Sequence, residues 1–315
     1  MTTRPTARSL RPVRPARAVG TGGHVRRGPT TVRRRSAGLT ATRAAAALAM
    51  IATVLAGYGL VSSPVFALDR IATEGATLTD EAALRAALDV PAGTNLVTLD
   101  VTALAVRLES LPTVRDATVA AALPGTLAVS VAERRPILAW SVGERRFLVD
   151  VEGRLIAELA TGAGLPRLAP DGSVATSAAT RGKPLPLLVD KRSTGASLRI
   201  GDRLGPVELD AARRLGSLEP SDVGSSAKAL TVTVDDANGF VVRSAGGRWA
   251  AVFGFYTPTI RAPAIVPGQV RLLRSLLAGR EGEVARIVLA SETDGTYVPR
   301  PSPSPDPSSA PSPTP

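Results

Sequence analysis

A continuous apolar run near the N-terminus is the strongest pattern in the chain. It covers Ala44 to Val61 without a charged residue. A helix of this length reaches about 27 Å, close to the thickness of the hydrocarbon core of a bilayer, and only a helix satisfies its own backbone there. The sequence therefore predicts a transmembrane helix over residues 44–63. The candidate residues of this transmembrane helix are Ala44, Leu48, Ile51, Leu55 and Leu60.

Residues 66–135 show short runs of strand and helical periodicity. A strand-like run is followed by two segments with apolar residues at helical spacing, and Asp100 is a suitable N-cap for the second. Two runs of alternating apolar residues follow, separated by the turn residues Pro124 and Gly125. The pattern predicts a β-α-α-β-β domain in which both helices cover one face of a small sheet.

The chain beyond residue 136 is dominated by strand-like alternation. Residues 160–206 look irregular, residues 209–218 and 270–277 look helical, and several strand runs end with a last strand at residues 283–290. These features predict a larger, mixed α+β domain over residues 136–298, dominated by antiparallel sheet. Residues 299–315 form a Pro/Ser-rich repeat and are expected to be a solvated, disordered tail.

Charge is distributed very unevenly about the apolar run. Residues 1–43 contain eleven arginines and no acidic residue, so the whole net charge of +11 lies in this arm. Basic residues beside a span are retained in the cytoplasm, which predicts a cytoplasmic N-terminus and an extracytoplasmic C-terminus. A secretory signal, cleaved after Ala67, is the alternative. The arm is expected to be disordered. Two functions are open for it: it binds anionic lipid, an acidic protein or nucleic acid, or it acts only as an orientation signal.

Composition argues against most catalytic chemistries. The chain has no cysteine and a single histidine, His24, which lies in the basic arm. Thiolate nucleophiles, zinc–thiolate sites and Ser-His triads are therefore unavailable. The sequence also lacks a P-loop, a G-x-S-x-G elbow and an HExxH motif. We expect a protein that is not an enzyme, has no cofactor or metal, and binds no specific nucleic acid.

Four motifs in order carry a resemblance to a known family. They are GTNL at residues 93–96, LPTVRDATV at 111–119, LPGTLAVSVAERRP at 123–136 and FLVDVEGRLI at 147–156. Together with the preceding span, they resemble the FtsQ/DivIB family of bacterial cell-division proteins. Members have a cytoplasmic tail, one span, a POTRA domain and a β domain. One departure is the run Ala120 to Ala122, where relatives often carry basic residues.

The resemblance implies a non-enzymatic scaffold of the division machinery. It implies partners similar to FtsB/DivIC and FtsL, a link to the septal peptidoglycan synthases, and enrichment at the septum of the cell membrane. Two other functions remain open from the sequence: a POTRA-bearing secretion component, and a secreted or anchored module that binds the cell wall.

Two groups of residues are candidate sites. The first group lies where the small domain ends and comprises Glu133, Arg134 and Pro136. The two charged residues can form an inter-domain ion pair, and Pro136 interrupts the strand ladder. We therefore expect a hinge at these residues. The second group follows the final helix, where the resemblance implies that an FtsB-type partner binds. It comprises Arg286, Ile287, Val288, Leu289 and Tyr297. If residues 283–290 form an edge strand, a partner can add to it; the alternative is that the chain's own C-terminal segment covers that edge.

Overall fold

The computed structural model describes residues 40–168, 174–175 and 182–301. Most of the basic arm, including His24, and most of the Pro/Ser-rich tail lie outside these residues. Helix α1, Ala41–Val61, is long and apolar enough to cross a membrane. It begins three residues before the predicted span and includes Arg43. The described residues up to residue 58 and those from residue 59 onward form two separate units.

The second unit begins with a small α+β domain. Its elements are β1 (Arg70–Glu74), α2 (Glu81–Leu88), α3 (Val101–Glu109), β2 (Val114–Ala122) and β3 (Thr126–Glu133). The strands form a sheet of order β1-β3-β2, in which β1 is parallel and β2 antiparallel to β3. The predicted β-α-α-β-β order is confirmed.

One apolar core holds the small domain together. Leu84 and Leu88 of α2 and Leu104 and Leu108 of α3 are buried in the same cluster as the inward-facing strand residues. Those strand residues are Val114, Ala117, Val119, Leu127, Val129 and Val131. Asp100 caps α3, because its Oδ1 accepts a hydrogen bond from the Ala103 amide (3.0 Å). The spacing of apolar residues in the sequence thus places both helices on one face of the sheet.

The remaining chain forms a larger domain around a nine-stranded sheet. Its first strands are β4 (Pro136–Val142), β5 (Arg145–Asp150) and β6 (Leu155–Leu159). Three short strands form a separate sheet: β7 (Arg167–Leu168), β8 (Val174–Ala175) and β9 (Lys183–Pro184). The other elements are β10 (Leu187–Asp190), α4 (Pro206–Gly216), β11 (Leu230–Asp235), β12 (Gly239–Ser244), β13 (Ala250–Gly254), α5 (Val266–Leu277), β14 (Val284–Leu289) and β15 (Gly295–Pro299).

The nine strands lie in the order β15-β14-β13-β12-β11-β10-β4-β5-β6. Neighbours are antiparallel except for the pairs β4/β10, β10/β11 and β13/β14, which are parallel. Helices α4 and α5 supply two of the crossovers that parallel neighbours require. Both helices pack in the main core with Trp140, Phe147 and Trp249. The predicted mixed α+β domain, with mostly antiparallel pairing, is confirmed.

Two features of this sheet differ from the sequence expectations. Residues 187–190, within the region expected to be irregular, form the interior strand β10 between β4 and β11. Residues 283–290 were expected to form the last strand, with its edge either open or covered by the C-terminal segment; β14 covers residues 284–289 and is not the last strand. Strand β15 follows and pairs with β14 along its outer side, so the chain's own C-terminal segment covers β14.

Candidate interaction surfaces

The junction between the two domains begins at Glu133, the last residue of β3. Its carboxylate accepts hydrogen bonds from the Leu78 and Thr79 amides (2.9 and 2.7 Å) and from the Thr77 and Thr79 hydroxyls (2.6 and 2.7 Å). Burial disfavours the charged form, but these donors outweigh it, so the pKa of Glu133 lies below its usual value. Glu133 therefore fixes the loop that precedes α2.

Leu78, in that loop, contacts the larger domain. Leu78 packs against a small apolar cluster formed by Leu148, Ile156 and Leu185. Leu148 lies on the face of the sheet opposite Phe147 and Val149, which belong to the main core. Leu78 is thus an apolar contact between the domains, and it is held in place by the carboxylate of Glu133.

Arg134 forms the second contact between the domains. Its Nε donates to the Val114 carbonyl (3.2 Å), and one terminal nitrogen donates to Asp150 (2.9 Å) and Glu152 (3.0 Å). The Arg134 side chain is 11% exposed and that of Asp150 is 2% exposed. Asp150 also accepts from the Glu152 and Arg154 amides, so the buried charge is fully engaged. Burial lowers the pKa of Arg134, but the two carboxylates raise it above its usual value.

These contacts refine the expectation for Glu133, Arg134 and Pro136. Glu133 and Arg134 do not pair with each other; Glu133 binds within the small domain, and the inter-domain ion pair joins Arg134 to Asp150. Strand β4 begins at Pro136, so only residues 134–135 separate the two sheets. Bending at this junction stays a prediction. Leu78 was not among the predicted contacts, because a single leucine in a polar loop carries no periodic pattern.

The second candidate surface lies at the C-terminal edge of the large sheet. Ile287 and Leu289 of β14 are buried in the core, whereas Val288 is 36% exposed on the opposite face. Arg286 donates a hydrogen bond to the Asn238 side chain (2.6 Å). Because β14 pairs with β13 and β15, these four residues offer no free backbone edge.

Strand β15 is the outermost strand on this side of the sheet. Tyr297, 43% exposed, lies opposite Ile287. The Arg300 amide donates inward to the Glu283 carbonyl (2.6 Å). Since backbone groups alternate along a strand, the Tyr297 amide points outward. The backbone nitrogen of Pro299 also faces outward, but it carries no hydrogen to donate. Among the residues that the structure describes, no strand pairs with this outer side.

The polar clusters of the larger domain are structural. Asp190 accepts hydrogen bonds from Trp140 Nε1 (3.1 Å) and Arg192 Nε (2.9 Å), and Arg192 also contacts Glu208 of α4. This cluster connects α4 to strand β10. Within the described part of the chain, no group of three or more His, Cys, Asp or Glu side chains is arranged to hold a metal ion.

A span-length helix, a β-α-α-β-β domain and a larger sheet domain define the chain as a POTRA-containing protein, whose described residues include one candidate span. Residues 66–134 match the family model "POTRA domain, FtsQ-type". The chain is similar to the cell division protein FtsQ of Mycobacteroides abscessus, with 29% identity over 228 residues, which is 72% of this chain and 66% of the relative. The expected resemblance to the FtsQ family is confirmed.

Two further relatives carry the same name. Cell division protein FtsQ of Streptomyces venezuelae is 30% identical over 149 residues, covering 46% of this chain and 55% of the relative. The protein of that name from Corynebacterium glutamicum is 30% identical over 135 residues, covering 42% of this chain and 57% of the relative. The matched regions thus span between about half and two thirds of the length of these relatives.

Proposed function

We propose that this chain is a bitopic, non-enzymatic scaffold of the bacterial division machinery, enriched at the septum. The observation that carries the proposal is the similarity to FtsQ across 72% of the chain, in a protein that joins a candidate span to a POTRA domain of the FtsQ type. In this function the two domains present protein surfaces outside the membrane and link their partners to septal peptidoglycan synthesis.

A localisation experiment tests the division role. A fluorescent protein fused to the N-terminus of the full chain should form a band at mid-cell during constriction. The matched control is the same fusion truncated after Asp69, which retains the arm and α1 but lacks both outer domains. An even distribution of the full-length fusion around the membrane, equal to that of the control, would contradict a division role.

The proposed orientation rests on charge. Eleven arginines precede the apolar core of α1, and the positive-inside rule places them in the cytoplasm. A reporter that is active only outside the cytoplasm, inserted after Asp69, should therefore be active. An inactive reporter, with a cytoplasmic reporter active at the same site, would reverse the orientation.

The free edge of β15 is the proposed docking site for an extended segment of an FtsB/DivIC-like partner, which in turn recruits an FtsL-like protein. An edge strand offers unpaired N–H and C=O groups in register for one more strand. The exposed ring of Tyr297 lies beside this edge and adds apolar contact area together with a hydroxyl group. Arg286 and Val288, one strand further in, contribute side chains from the open face of the sheet.

Substitutions on β15 separate the ring from the backbone. Tyr297→Ala removes the aromatic contact, and Tyr297→Pro also removes the outward N–H while leaving the inward pairing with β14 in place. Co-purification of the FtsB-like partner should fall for the first variant and fall further for the second. Val106→Ala, at an exposed site on α3, is the matched control. Full retention of the partner by both folded Tyr297 variants would exclude docking at this edge.

A further inference from the structure

Three large apolar side chains at one end of the POTRA domain are strongly exposed. Val65 is 63% exposed, Val97 is 45% exposed and Leu123 is 55% exposed. Single exposed apolar residues are common on soluble domains, whereas contiguous exposed apolar patches mark contact surfaces. These three residues lie on neighbouring segments at one end of the domain, and their surroundings decide what such a surface can contact.

Backbone hydrogen bonds hold the three segments together. The Leu96 amide donates to the Phe66 carbonyl (2.8 Å), which places Val97 beside the segment that contains Val65. The Asp69 and Arg70 amides both donate to the Gly125 carbonyl (2.8 and 3.1 Å), which brings the turn after Leu123 to the same place. An open cavity of about 510 Å³ lies between the segment that contains Val65 and the turn after Leu123, lined by residues 64–65, 67–70 and 124–126.

This end of the domain lies opposite the junction with the larger domain. Strand β2 runs from Val114, beside Glu133 and Arg134, to Ala122, directly before Leu123. The exposed apolar end is therefore separated from the junction by the full length of β2. It is also the end at which the chain enters the domain from α1.

Chain length limits how far this end can lie from a bilayer that contains α1. Only Ser62, Ser63 and Pro64 separate Val61, the last residue of α1, from Val65. An extended chain covers at most about 14 Å over that distance, and the interfacial layer on each side of the hydrocarbon core is about 5–8 Å thick. For apolar side chains held this close to the interface, the local concentration of lipid exceeds that of any freely diffusing protein partner.

We propose that Val65, Val97 and Leu123 form a lipid-contact surface, by which the POTRA domain rests on the extracytoplasmic face of the membrane. The occupant is the headgroup region of the bilayer, and the three side chains enter it. This inference rests on the proposed span, and the test is designed so that the two can fail separately.

The absence of cysteine makes site-specific labelling straightforward. The full chain is reconstituted into vesicles of phosphatidylcholine and phosphatidylglycerol, with an environment-sensitive nitrobenzoxadiazole label on one introduced cysteine. Val97→Cys and Leu123→Cys report on the proposed surface. Val151→Cys, 65% exposed in the turn after β5, is the control in the larger domain. Leu55→Cys, within α1, reports on the span.

Labels at positions 97 and 123 should shift to the blue and be quenched several-fold more strongly by spin-labelled lipid than the label at position 151. Leu123→Asp should reduce the quenching at position 97, while Val151→Asp should not. Equal quenching at positions 97, 123 and 151, with position 55 strongly quenched, overturns the lipid contact and leaves the span intact. A blue shift without lipid quenching that fades as the protein is diluted in lipid assigns the surface to a second copy and also overturns the proposal. An unquenched label at position 55 overturns the span itself.

Discussion

At the scale of single residues, one carboxylate ties together three parts of the larger domain. Glu281, between α5 and β14, accepts hydrogen bonds from the Ser225 hydroxyl, the Ser226 amide (2.9 Å) and hydroxyl (2.8 Å), and Trp249 Nε1 (3.0 Å). Burial disfavours the carboxylate, but these donors outweigh it and lower the pKa of Glu281 to about 2. Because Trp249 is a buried core residue, this network anchors the core.

The lowered pKa gives a pH dependence of stability. The unfolded carboxyl titrates near 4.5, so the stabilisation is complete above that pH and is lost as the pH falls toward about 2. Glu281→Gln should lower the free energy of unfolding by about 2 kcal/mol at neutral pH, since hydrogen bonds to a charged group are lost. Urea unfolding of the full chain in detergent measures the difference, which should vanish as the pH approaches 2.

The control is Glu74→Gln, which removes an exposed carboxylate from β1. It should change the stability by only a few tenths of a kcal/mol at neutral pH. If Glu281→Gln lowers the free energy of unfolding by the same amount near pH 2 as at neutral pH, the side chain acts through its shape and not through its charge.

At the scale of elements, strands β12 and β13 approach each other unusually closely at one end. Gly239 and Gly254 are paired across the two strands, and both have positive φ (67° and 88°). A Cβ on Gly239 would lie 2.4 Å from the Gly254 carbonyl oxygen. Two glycines are therefore needed where the ladder shifts its register.

A pair of glycine variants separates the cost of backbone conformation from the cost of this contact. Gly246, in the turn between β12 and β13, also has positive φ (84°), but nothing lies near its absent Cβ. Gly246→Ala should therefore cost only the left-handed conformation, about 1–2 kcal/mol. Gly239→Ala should cost clearly more, because the strands must also separate. Chemical denaturation of both variants measures this, and equal losses would contradict the close approach.

The elements differ in how far the sequence predicts them. Helices α2 and α3 and strands β2 and β3 are amphipathic over eight or nine residues, so their periodicity is readable. Strand β10 has only four residues, lies in the interior of the sheet and follows Pro184 and Pro186. It is therefore too short to show an alternation of polar and apolar residues. Strand β15 follows a polar turn and ends at Pro299, a residue that is unfavourable in a strand. Its sequence alone does not predict a strand, because the strand forms by pairing with β14.

At the scale of the whole molecule, the POTRA domain and the larger domain each have a core, and Leu78 and Arg134 join them. The sequence marked the position of the junction, since a charged pair and a proline interrupt the strand pattern at residues 133–136. It could not show the contacts, because Leu78 lies far before the junction and Asp150 lies after a further hairpin. Such contacts depend on the folded arrangement of both domains.

The joined domains should unfold together. In calorimetry on the full chain in detergent, we expect one transition for both domains. Leu78→Asp places a charge in the apolar cluster of the larger domain and should split this into two transitions. Val151→Asp, at an exposed site, is the control and should leave one. Two transitions in the unaltered protein, or one in Leu78→Asp, would contradict the coupling.

The strand order also has a consequence for biosynthesis. From β10 to β15, each new strand lies beside the one made just before it, and β10 joins this series to β4. In the proposed orientation, the part of the chain after α1 is exported with its POTRA domain first, so this domain can fold early, whereas the sheet can only grow outward from β10 as translation proceeds. The edge proposed to dock a partner is then the last strand laid down. A partner that recognises it selects finished molecules and passes over those still emerging from the membrane.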